Sequence, residues 1–347
     1  MTRQIMVGSV AVGGGARVSV QSMTNTKTKN ARETLAQIER LFRAGCEIVR
    51  VSVPDLESAE AIKFLVDKSP VPLVADIHFN VEYAIRAIEN GIHAVRVNPG
   101  NMGGEENVRK LCACLKAHRV PVRVGVNGGS LEKRLLQKYG SPCAKALVES
   151  ALEHASLLEN HGFSDIALSM KASDVKTTVT AYRLASQRTR YPLHVGITET
   201  GFGASGLVKS AMGIGALLID GIGDTLRVSL TGDPVEEVYA GLEILRAAGL
   251  RRDYVEIISC PTCARTEIDV EGIAKAVREK TKDITFPLKV AVMGCVVNGP
   301  GEAREADIGI AGGKEGGALF RKGQAPVAVK GDLAAALLRE IERMVPK

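Results

Sequence analysis

Short runs of β-branched residues recur along the first 250 residues of the chain, about 30 residues apart. They centre on eight positions: Val20, Val49, Val74, Val95, Val124, Ile166, Val195 and Val228. About 30 residues is the length of one βαβ unit, and eight units build a (β/α)8 barrel of about 250 residues. The spacing therefore predicts a TIM barrel over residues 1–250.

Helix-like stretches lie between these strands, at 31–44, 57–68, 81–90, 131–139, 144–160 and 234–248. The longest interval between strands holds two of them, 131–139 and 144–160. The opening segment, residues 5–12, has two short apolar runs around Gly8-Ser9 and predicts a small hairpin.

Alternation within the strands predicts which side chains face the barrel interior. Successive strand residues point to opposite faces, and the apolar set, such as Val49 and Val51, must pack on the helices. The polar set then points inward, toward the C-terminal strand ends where barrel enzymes keep their active sites. Its members are Arg50, Ser52, Asp76, His78, Arg96, Asn98, Arg123, Asn127, Ser169, Lys171, Arg227 and Ser229.

The inward set contains five cations, Arg50, Arg96, Arg123, Lys171 and Arg227, and a single acid, Asp76. Burying an unpaired cation is costly, so either acids on the loops pair with them or a polyanion binds. Guanidinium groups hold phosphate in bidentate fashion, and five cations suit a diphosphate. The loop 201–206 has a G-x-G-x-x-G pattern without a Rossmann context; it either wraps a phosphate or is plain loop.

Three further polar residues lie near the predicted mouth. His78 and Asn127 are candidate ligands, although each alone would more often be structural. Glu199 has outward parity at the end of the seventh strand. It is either a solvated rim residue or, if the strand turns at Thr198, a carboxylate over the mouth that could carry a proton.

After Leu250 the pattern changes. Strand candidates at 255–259 and 288–293 enclose a helical stretch, 269–280, and a run at 308–311, a glycine-rich turn and a terminal helix near 332–344 follow. We expect a separate α+β domain over 251–347, joined to the barrel by the link 249–253.

Three cysteines of this domain follow predicted strands. Cys260 and Cys263 form a C-x-x-C pair, and Cys295 comes 32 residues after Cys263. The domain has no fourth cysteine or histidine, whereas structural zinc normally has four such ligands. A three-thiolate set with an open fourth position favours an iron–sulfur cluster, and zinc remains the alternative. We interpret the barrel cysteines as packing residues: Cys46, Cys112, Cys114 and Cys143.

Composition limits the other classes of function. Aromatic residues are only 4% and Trp is absent, which argues against base-stacking platforms for nucleic acid. A net charge of +6 alone would fit a basic nucleic-acid-binding protein, but such a protein does not need inward-facing arginines. No apolar run approaches the roughly 20 residues that a membrane span needs, and the start lacks an export signal. We expect a cytoplasmic protein with no nucleic-acid or membrane partner.

The cysteine set, the run 296–302 (VVNGPGE) and the eight-unit barrel together resemble the (E)-4-hydroxy-3-methylbut-2-enyl diphosphate synthase family in its compact bacterial form. The similarity also includes the segments 20–24, 76–79, 96–100 and 197–199. It implies an oxidoreductase of the non-mevalonate isoprenoid pathway that opens and reductively dehydroxylates 2-C-methyl-D-erythritol 2,4-cyclodiphosphate. The rival interpretation is a zinc-containing TIM-barrel enzyme that acts on a phosphorylated sugar without redox chemistry.

The resemblance also implies the roles of individual residues. A [4Fe–4S] cluster would be held by Cys260, Cys263, Cys295 and Glu302, with Glu302 displaced by substrate and Glu199 acting as acid or base. Ferredoxin or flavodoxin would supply the electrons. The diphosphate would bind the inward residues: Arg50, His78, Arg96, Arg123, Asn127, Lys171, Arg227 and Ser229.

Chain geometry predicts the assembly. The helix at 234–248 has 15 residues, about 22 Å, and runs away from the mouth, while the five-residue link spans at most about 18 Å. A chain's own cluster would struggle to reach its own mouth. We therefore expect a head-to-tail homodimer with the active site formed in trans, which the resemblance also implies.

Overall fold

The chain divides into two compact units, Met1–Leu250 and Arg251–Lys347. The computed structural model describes residues 1–295 and 305–346. Among these residues, no helix is both long enough and apolar enough to cross a membrane.

Eight parallel strands form the first unit's sheet and close on themselves. Neighbours from β3 to β8 pair in parallel, β10 pairs with both β3 and β9, and a bridge between Leu168 and Leu193 joins β8 to β9. The strands are β3 (Ser19–Met23), β4 (Ile48–Ser52), β5 (Leu73–Asp76), β6 (Ala94–Val97), β7 (Val122–Asn127), β8 (Ile166–Lys171), β9 (His194–Val195) and β10 (Thr225–Leu226). The predicted TIM barrel is confirmed.

Helices follow the strands around the barrel. The long interval after β7 holds two of them, as the sequence predicts. The helices are α1 (Ala31–Arg43), α2 (Leu56–Lys68), α3 (Val81–Glu89), α4 (Glu105–His118), α5 (Lys133–Tyr139), α6 (Ala144–Asn160), α7 (Val175–Arg188), α8 (Gly203–Ile219) and α9 (Pro234–Ala247). Several begin at an aspartate or asparagine whose side chain accepts a hydrogen bond from the first turn, as Asp55 and Asp174 do.

The core lies between the barrel and its helices. Outward-facing residues such as Val49, Val51 and Val124 are fully buried there, and each such side chain contributes about 1.5–3 kcal/mol to folding. This packing fixes the orientation of every strand, because a slip of one residue would exchange the two faces. The inward set is therefore held in place by its outward neighbours.

A hairpin closes the N-terminal end of the barrel. Strands β1 (Ile5–Val7) and β2 (Val10–Val12) pair in antiparallel fashion around a turn in which Gly8 has φ +57°, a conformation that favours glycine. Ile5, Val7 and Val12 pack on inward-facing side chains of the strands, including Ile48 and Val74. The hairpin thus covers this end of the barrel with apolar side chains, and the charged residues lie above that layer.

Among the described residues, the second unit consists of a five-stranded sheet and two helices. Its strands lie in sequence order: β11 (Val255–Ser259), β12 (Leu288–Met293), β13 (Ile308–Gly313), β14 (Gly316–Arg321) and β15 (Val327–Val329). β11, β12 and β13 pair in parallel, and β14 pairs in antiparallel fashion with both β13 and β15. Helices α10 (Val270–Thr281) and α11 (Leu333–Met344) pack on the sheet through Val277 and Leu337.

Two of these strands, β14 and β15, were not expected from the sequence, which indicated only a glycine-rich turn there. β14 reads Gly-Gly-Ala-Leu-Phe-Arg and has weak intrinsic strand propensity. Pairing with β13 in a glycine-to-glycine hairpin, Gly313 opposite Gly316, supplies what local propensity lacks.

Two glycines of α8 give a matched test of barrel packing. A Cβ at Gly213 would come within 2.6 Å of the Ile197 side chain, whereas one at Gly215 would meet nothing within 4 Å. We expect Gly213→Ala to destabilise the barrel by about 1–3 kcal/mol through overpacking. Gly215→Ala should stabilise it by up to about 1 kcal/mol through helix propensity. Urea unfolding of both variants measures this, and equal midpoints would contradict it.

Candidate functional site

The five predicted cations lie inside the barrel, and we call Arg50, Arg96, Arg123, Lys171 and Arg227 the cradle. Arg96, Arg123 and Lys171 are buried, and Arg50 and Arg227 nearly so. Arg96 and Arg123 are direct register partners on β6 and β7. The same strand alternation that buries the valines thus gathers the guanidinium groups in one space.

Asp76 is the acid at the centre of one side of the cradle. Its Oδ1 lies 3.1 Å from Nη1 of Arg96, and its Oδ2 lies 3.5 Å from Nε of Arg50. Burial alone would raise the pKa of the Asp76 carboxyl, but the charge of Arg50, the His78 ring 3.6 Å away and the charge of Arg96 hold that pKa well below its usual range. One carboxylate therefore serves two arginines.

Arg227 pairs with a second acid, Glu237, which sequence reasoning missed. Its Nη2 lies 3.1 Å from Oε1 of Glu237, and its Nε donates to Oε2 at 3.3 Å. Glu237 is buried on the first turns of α9 and also accepts from the Ser22 hydroxyl and the Leu230 amide. The sequence pattern that could have indicated Glu237 is an acid four residues before Gly241, on a face of α9 that is otherwise apolar.

Arg123 and Lys171 have no carboxylate within ion-pair distance in the described part of the chain. Arg123 donates from Nη1 to the side-chain oxygen of Gln21 at 2.7 Å, a neutral partner that parity also places inside the barrel. Burial, reinforced by the neighbouring arginines, lowers the pKa of Arg123 and of Lys171 well below their ordinary values. It lowers the pKa of Arg50 to about 10.

The cradle therefore carries more positive charge than the protein neutralises. Five cations face the two carboxylates of Asp76 and Glu237, which leaves an excess of three positive charges among the described residues. Such an excess in a low-dielectric interior is unfavourable until an anion enters. The charge of this arrangement is complementary to that of a polyanion.

The remaining barrel candidates lie at the rim. Asn127 ends β7 and Ser229 lies three residues beyond β10, and both are half-buried. His78 is exposed, with Nε2 3.6 Å from Oδ1 of Asp76. Glu199 is exposed and has φ +54°, a left-handed conformation rare outside glycine. Regular pairing of β9 ends at Val195, so the parity of Glu199 does not determine its direction.

The cysteines of the second unit lie at one edge of its sheet. Cys260 follows β11 and Cys295 lies two residues beyond β12, and these strands are parallel neighbours with Ser259 opposite Val292. The Gly294 amide donates to Sγ of Cys260 at 3.1 Å. Cys263 is exposed, and hydrogen bonds from Arg265 lower the pKa of its thiol.

This donor set suits a thiolate-bound metal centre. A backbone N–H directed at a cysteine sulfur is the contact that stabilises ligated thiolates, and a lowered thiol pKa favours the ligating form. Within residues 1–295 and 305–346, no three Cys, His, Asp or Glu side chains are close enough to hold a metal ion. Glu302, the expected fourth ligand, lies outside the described residues.

The fold and site define a TIM-barrel protein with a cation-lined interior and an appended thiol-bearing unit. The family model of the GcpE TIM-barrel domain matches residues 2–242, and that of the GcpE C-terminal domain matches residues 256–343. The chain belongs to the GcpE family, so the resemblance drawn from its motifs is confirmed.

Relatives with an assigned activity match along the whole chain. One from Clostridium perfringens is 56% identical over 342 residues, 98% of each chain. One from Aquifex aeolicus is 54% identical over 344 residues, 99% of this chain and 96% of the relative. Both are named 4-hydroxy-3-methylbut-2-en-1-yl diphosphate synthase (flavodoxin).

Solved structures with a similar fold are remote in sequence. Dihydropteroate synthase from Yersinia pestis superposes with a TM-score of 0.51 at 12% identity, over 72% of this chain and all of that one. The likeness concerns the barrel architecture alone.

Lys171 offers a test of the cradle. Its depressed pKa means that it loses its proton at a lower pH than an ordinary lysine, so pyrophosphate affinity should fall as pH rises through that pKa. Lys171→Met should weaken pyrophosphate binding at least tenfold at neutral pH, as expected for a lost charge-assisted hydrogen bond. It should also remove this part of the pH dependence. Calorimetric titration over a pH series measures both effects.

Lys63→Met is the matched control, because Lys63 is exposed on α2. Pyrophosphate ionises in the same way in the titration of every variant. The difference in the pH dependence of affinity between the two variants is therefore due to the ionisation of Lys171. Equal affinities and pH profiles for the two variants would contradict the cradle as the anion site.

Proposed function

We propose that this protein converts 2-C-methyl-D-erythritol 2,4-cyclodiphosphate into (E)-4-hydroxy-3-methylbut-2-enyl diphosphate. Two electrons and one proton enter. The carbon–oxygen bond that closes the ring breaks, as does one carbon–hydroxyl bond; a carbon–carbon double bond forms and water leaves. The activity named for the full-length relatives supports this proposal, and the cradle's excess of three positive charges is the observation in this chain that carries it.

The cradle would hold the diphosphate. Arg123 and Lys171 lack carboxylate partners within the described ranges and would contact phosphate oxygens directly, whereas Arg50, Arg96 and Arg227 are oriented by Asp76 and Glu237. His78, Asn127 and Ser229 would complete the rim of the substrate site. Because the cations are positioned before binding, little side-chain entropy is lost when the ligand enters.

A [4Fe–4S] cluster would be held by Cys260, Cys263 and Cys295, with Glu302 as the oxygen ligand. The Gly294 amide that points at Cys260 and the lowered pKa of Cys263 support thiolate ligation. When bound, the cluster would supply the electrons for the reductive step. The free cysteines of the chain fit a reducing, cytoplasmic setting.

Glu199 would transfer the proton. A non-glycine residue with φ +54° is kept in that conformation only where the surrounding structure imposes it, and such residues cluster at functional sites. Its backbone carbonyl accepts from Nζ of Lys209 at 3.3 Å, which anchors this turn to α8.

Flavodoxin, which the names of the relatives include, would be the electron donor, with ferredoxin as the alternative.

Anaerobic turnover of the cyclic diphosphate with a chemical reductant tests the proposed function. The full-length protein should be brown, contain iron and sulfide, and release the linear diphosphate. Cys295→Ser should lose iron and at least a hundredfold in turnover, whereas Cys114→Ser, on α4, should keep both within twofold. A colourless protein that contains zinc and shows no turnover would support the zinc-enzyme alternative instead.

We also propose that the active site forms in trans in a homodimer. Helix α9 has 14 residues, about 21 Å, and barrel helices run from the mouth toward the opposite end. The chain therefore leaves the barrel far from the cradle, only a few residues before Arg251. If a second copy of the chain packs beside the first with its barrel axis antiparallel, the mouth of its barrel lies at the end where the first chain leaves its own barrel.

An uncharged face on α8 is the surface that would form this dimer. Val208, Met212 and Ile219 are 57%, 62% and 77% exposed and lie on one stripe with Gly215. Lys209 is the one charged residue among the 17 of this helix. Surface helices normally carry charges on their solvent face, and an apolar patch of this kind marks an interaction site. A two-fold axis across the helix would pack two stripes together and make the barrels antiparallel.

Met212→Glu should convert the dimer to a monomer and reduce turnover at least tenfold, because it places two carboxylates in the apolar interface. Phe42→Glu, an exposed position on α1, should remain dimeric and active. Size-exclusion chromatography with light scattering measures the assembly. A dimeric Met212→Glu variant would exclude the α8 face.

Complementation tests the trans site itself. Arg50→Ala and Cys295→Ser chains should each be inactive, but mixed after subunit exchange they should recover about one quarter of wild-type turnover, since half the dimers would carry one intact site. No recovery in verified heterodimers would show that each chain uses its own cluster.

A further inference from the structure

Beneath the cradle, three adjacent strands place polar side chains in the barrel interior at one level. Thr225 on β10 is the register partner of both Ser19 on β3 and His194 on β9. All three are buried, and their neighbours Val20 and Val195 belong to the outward core. We call Ser19, His194 and Thr225 the floor layer.

Arg123 reaches across the interior toward this layer. Its Nη1 donates to Gln21 on β3, and β7 and β3 are four strands apart in the eight-stranded sheet. The guanidinium group therefore lies near the barrel axis. Among the charges that lower the pKa of His194, that of Arg123 is the strongest, after burial itself.

Six buried polar atoms of these residues have no hydrogen-bond partner among the described residues. They are the Ser19 and Thr225 hydroxyls, both ring nitrogens of His194, and Nε and Nη2 of Arg123. Each unsatisfied buried group costs about 1–3 kcal/mol. The guanidinium atoms can only donate, the hydroxyls can donate, and a neutral imidazole donates from one nitrogen. The set is therefore dominated by donors.

A small cavity lies between the hairpin and two of these residues, Arg123 and Thr225. Its volume is about 20 Å³, and Arg123, Gln21 and Thr225 line it together with apolar side chains that include Ile5 and Val7. A cavity of about 10–15 Å³ or more admits one water-sized particle. The unpartnered polar atoms of its lining residues are Nε and Nη2 of Arg123 and the Thr225 hydroxyl, and every other lining side chain except Gln21 is apolar.

We propose that this cavity is a binding site for a single halide-sized anion, chloride in solution, separate from the diphosphate cradle. A monatomic anion accepts from several donors without donating in return, whereas a water molecule must also donate. It would neutralise part of the cradle's excess charge and hold Arg123 in its extended position. The site would remain occupied when diphosphate binds above it.

Halide dependence of thermal unfolding tests the site in the full-length protein. Replacing sodium gluconate with sodium bromide at constant ionic strength should raise the unfolding midpoint saturably, because the ion binds the folded state only. Thr225→Val, which keeps the side-chain shape but removes the donor, should weaken the apparent bromide affinity at least fivefold. Thr225→Ala removes the same donor and serves if Thr225→Val does not fold.

Thr28→Val is the matched control, since its hydroxyl is also buried and without a partner among the described residues but belongs to the loop after β3. It should leave bromide affinity unchanged. Pyrophosphate titrations at increasing bromide separate this site from the proposed function. A separate site should weaken pyrophosphate binding only to a limiting value, reached when bromide saturates it. A dissociation constant that rises without limit shows that bromide competes inside the cradle and overturns the proposal. Anomalous scattering from bromide-soaked crystals should show one ion between Arg123 and Thr225, and its absence there would also overturn the proposal.

Discussion

The excess positive charge inside the barrel is the feature that the rest of the barrel unit has to accommodate. In the part of the chain that the structure describes, five cations share a space with two carboxylates, and mutual repulsion in a poorly screened interior opposes folding. The barrel tolerates this because Asp76 and Glu237 are each used more than once. Asp76 contacts Arg50 and Arg96, and Glu237 joins Arg227 to the Ser22 hydroxyl and the Leu230 amide. Removing either acid would leave a largely buried cation without a carboxylate partner, which is among the costliest defects in a protein interior.

The apolar layers on either side of the charged one make this arrangement stable. Outward valines bind each strand to the helices, and the N-terminal hairpin closes the floor with Ile5, Val7 and Val12. The charged side chains need not contribute to stability, because these layers supply it. The positions of the cations are then determined by strands whose register cannot slip, which is the preorganisation that anion recognition requires.

Much of this could be predicted from the sequence, because strand period and strand parity are local signals. The barrel, its two-helix interval and the five cations all follow from alternation within runs such as Val49–Ser52. Glu237 did not follow, because whether an acid on a helix faces inward depends on tertiary packing. The direction of Glu199 did not follow either, since regular pairing ends before it and a left-handed residue breaks the parity rule. Strands β14 and β15 depend on pairing with β13 rather than on their own propensity.

The same imbalance of charge bears on how tightly and how selectively the cradle binds. A polyanion that enters is attracted to Arg123 and Lys171 and also relieves the repulsion among the cations of the free protein. Part of the binding free energy therefore comes from the unfavourable electrostatic energy of the empty site. Relief of repulsion grows with the charge of the ligand, whereas a monocarboxylate would leave most of the cations unmatched. Selectivity for a diphosphate over singly charged metabolites therefore follows from the excess of cations over carboxylates. A third carboxylate beside Lys171 would stabilise the empty barrel and lower its affinity for the diphosphate. Stability and binding are opposed at this site, as they are at many functional sites.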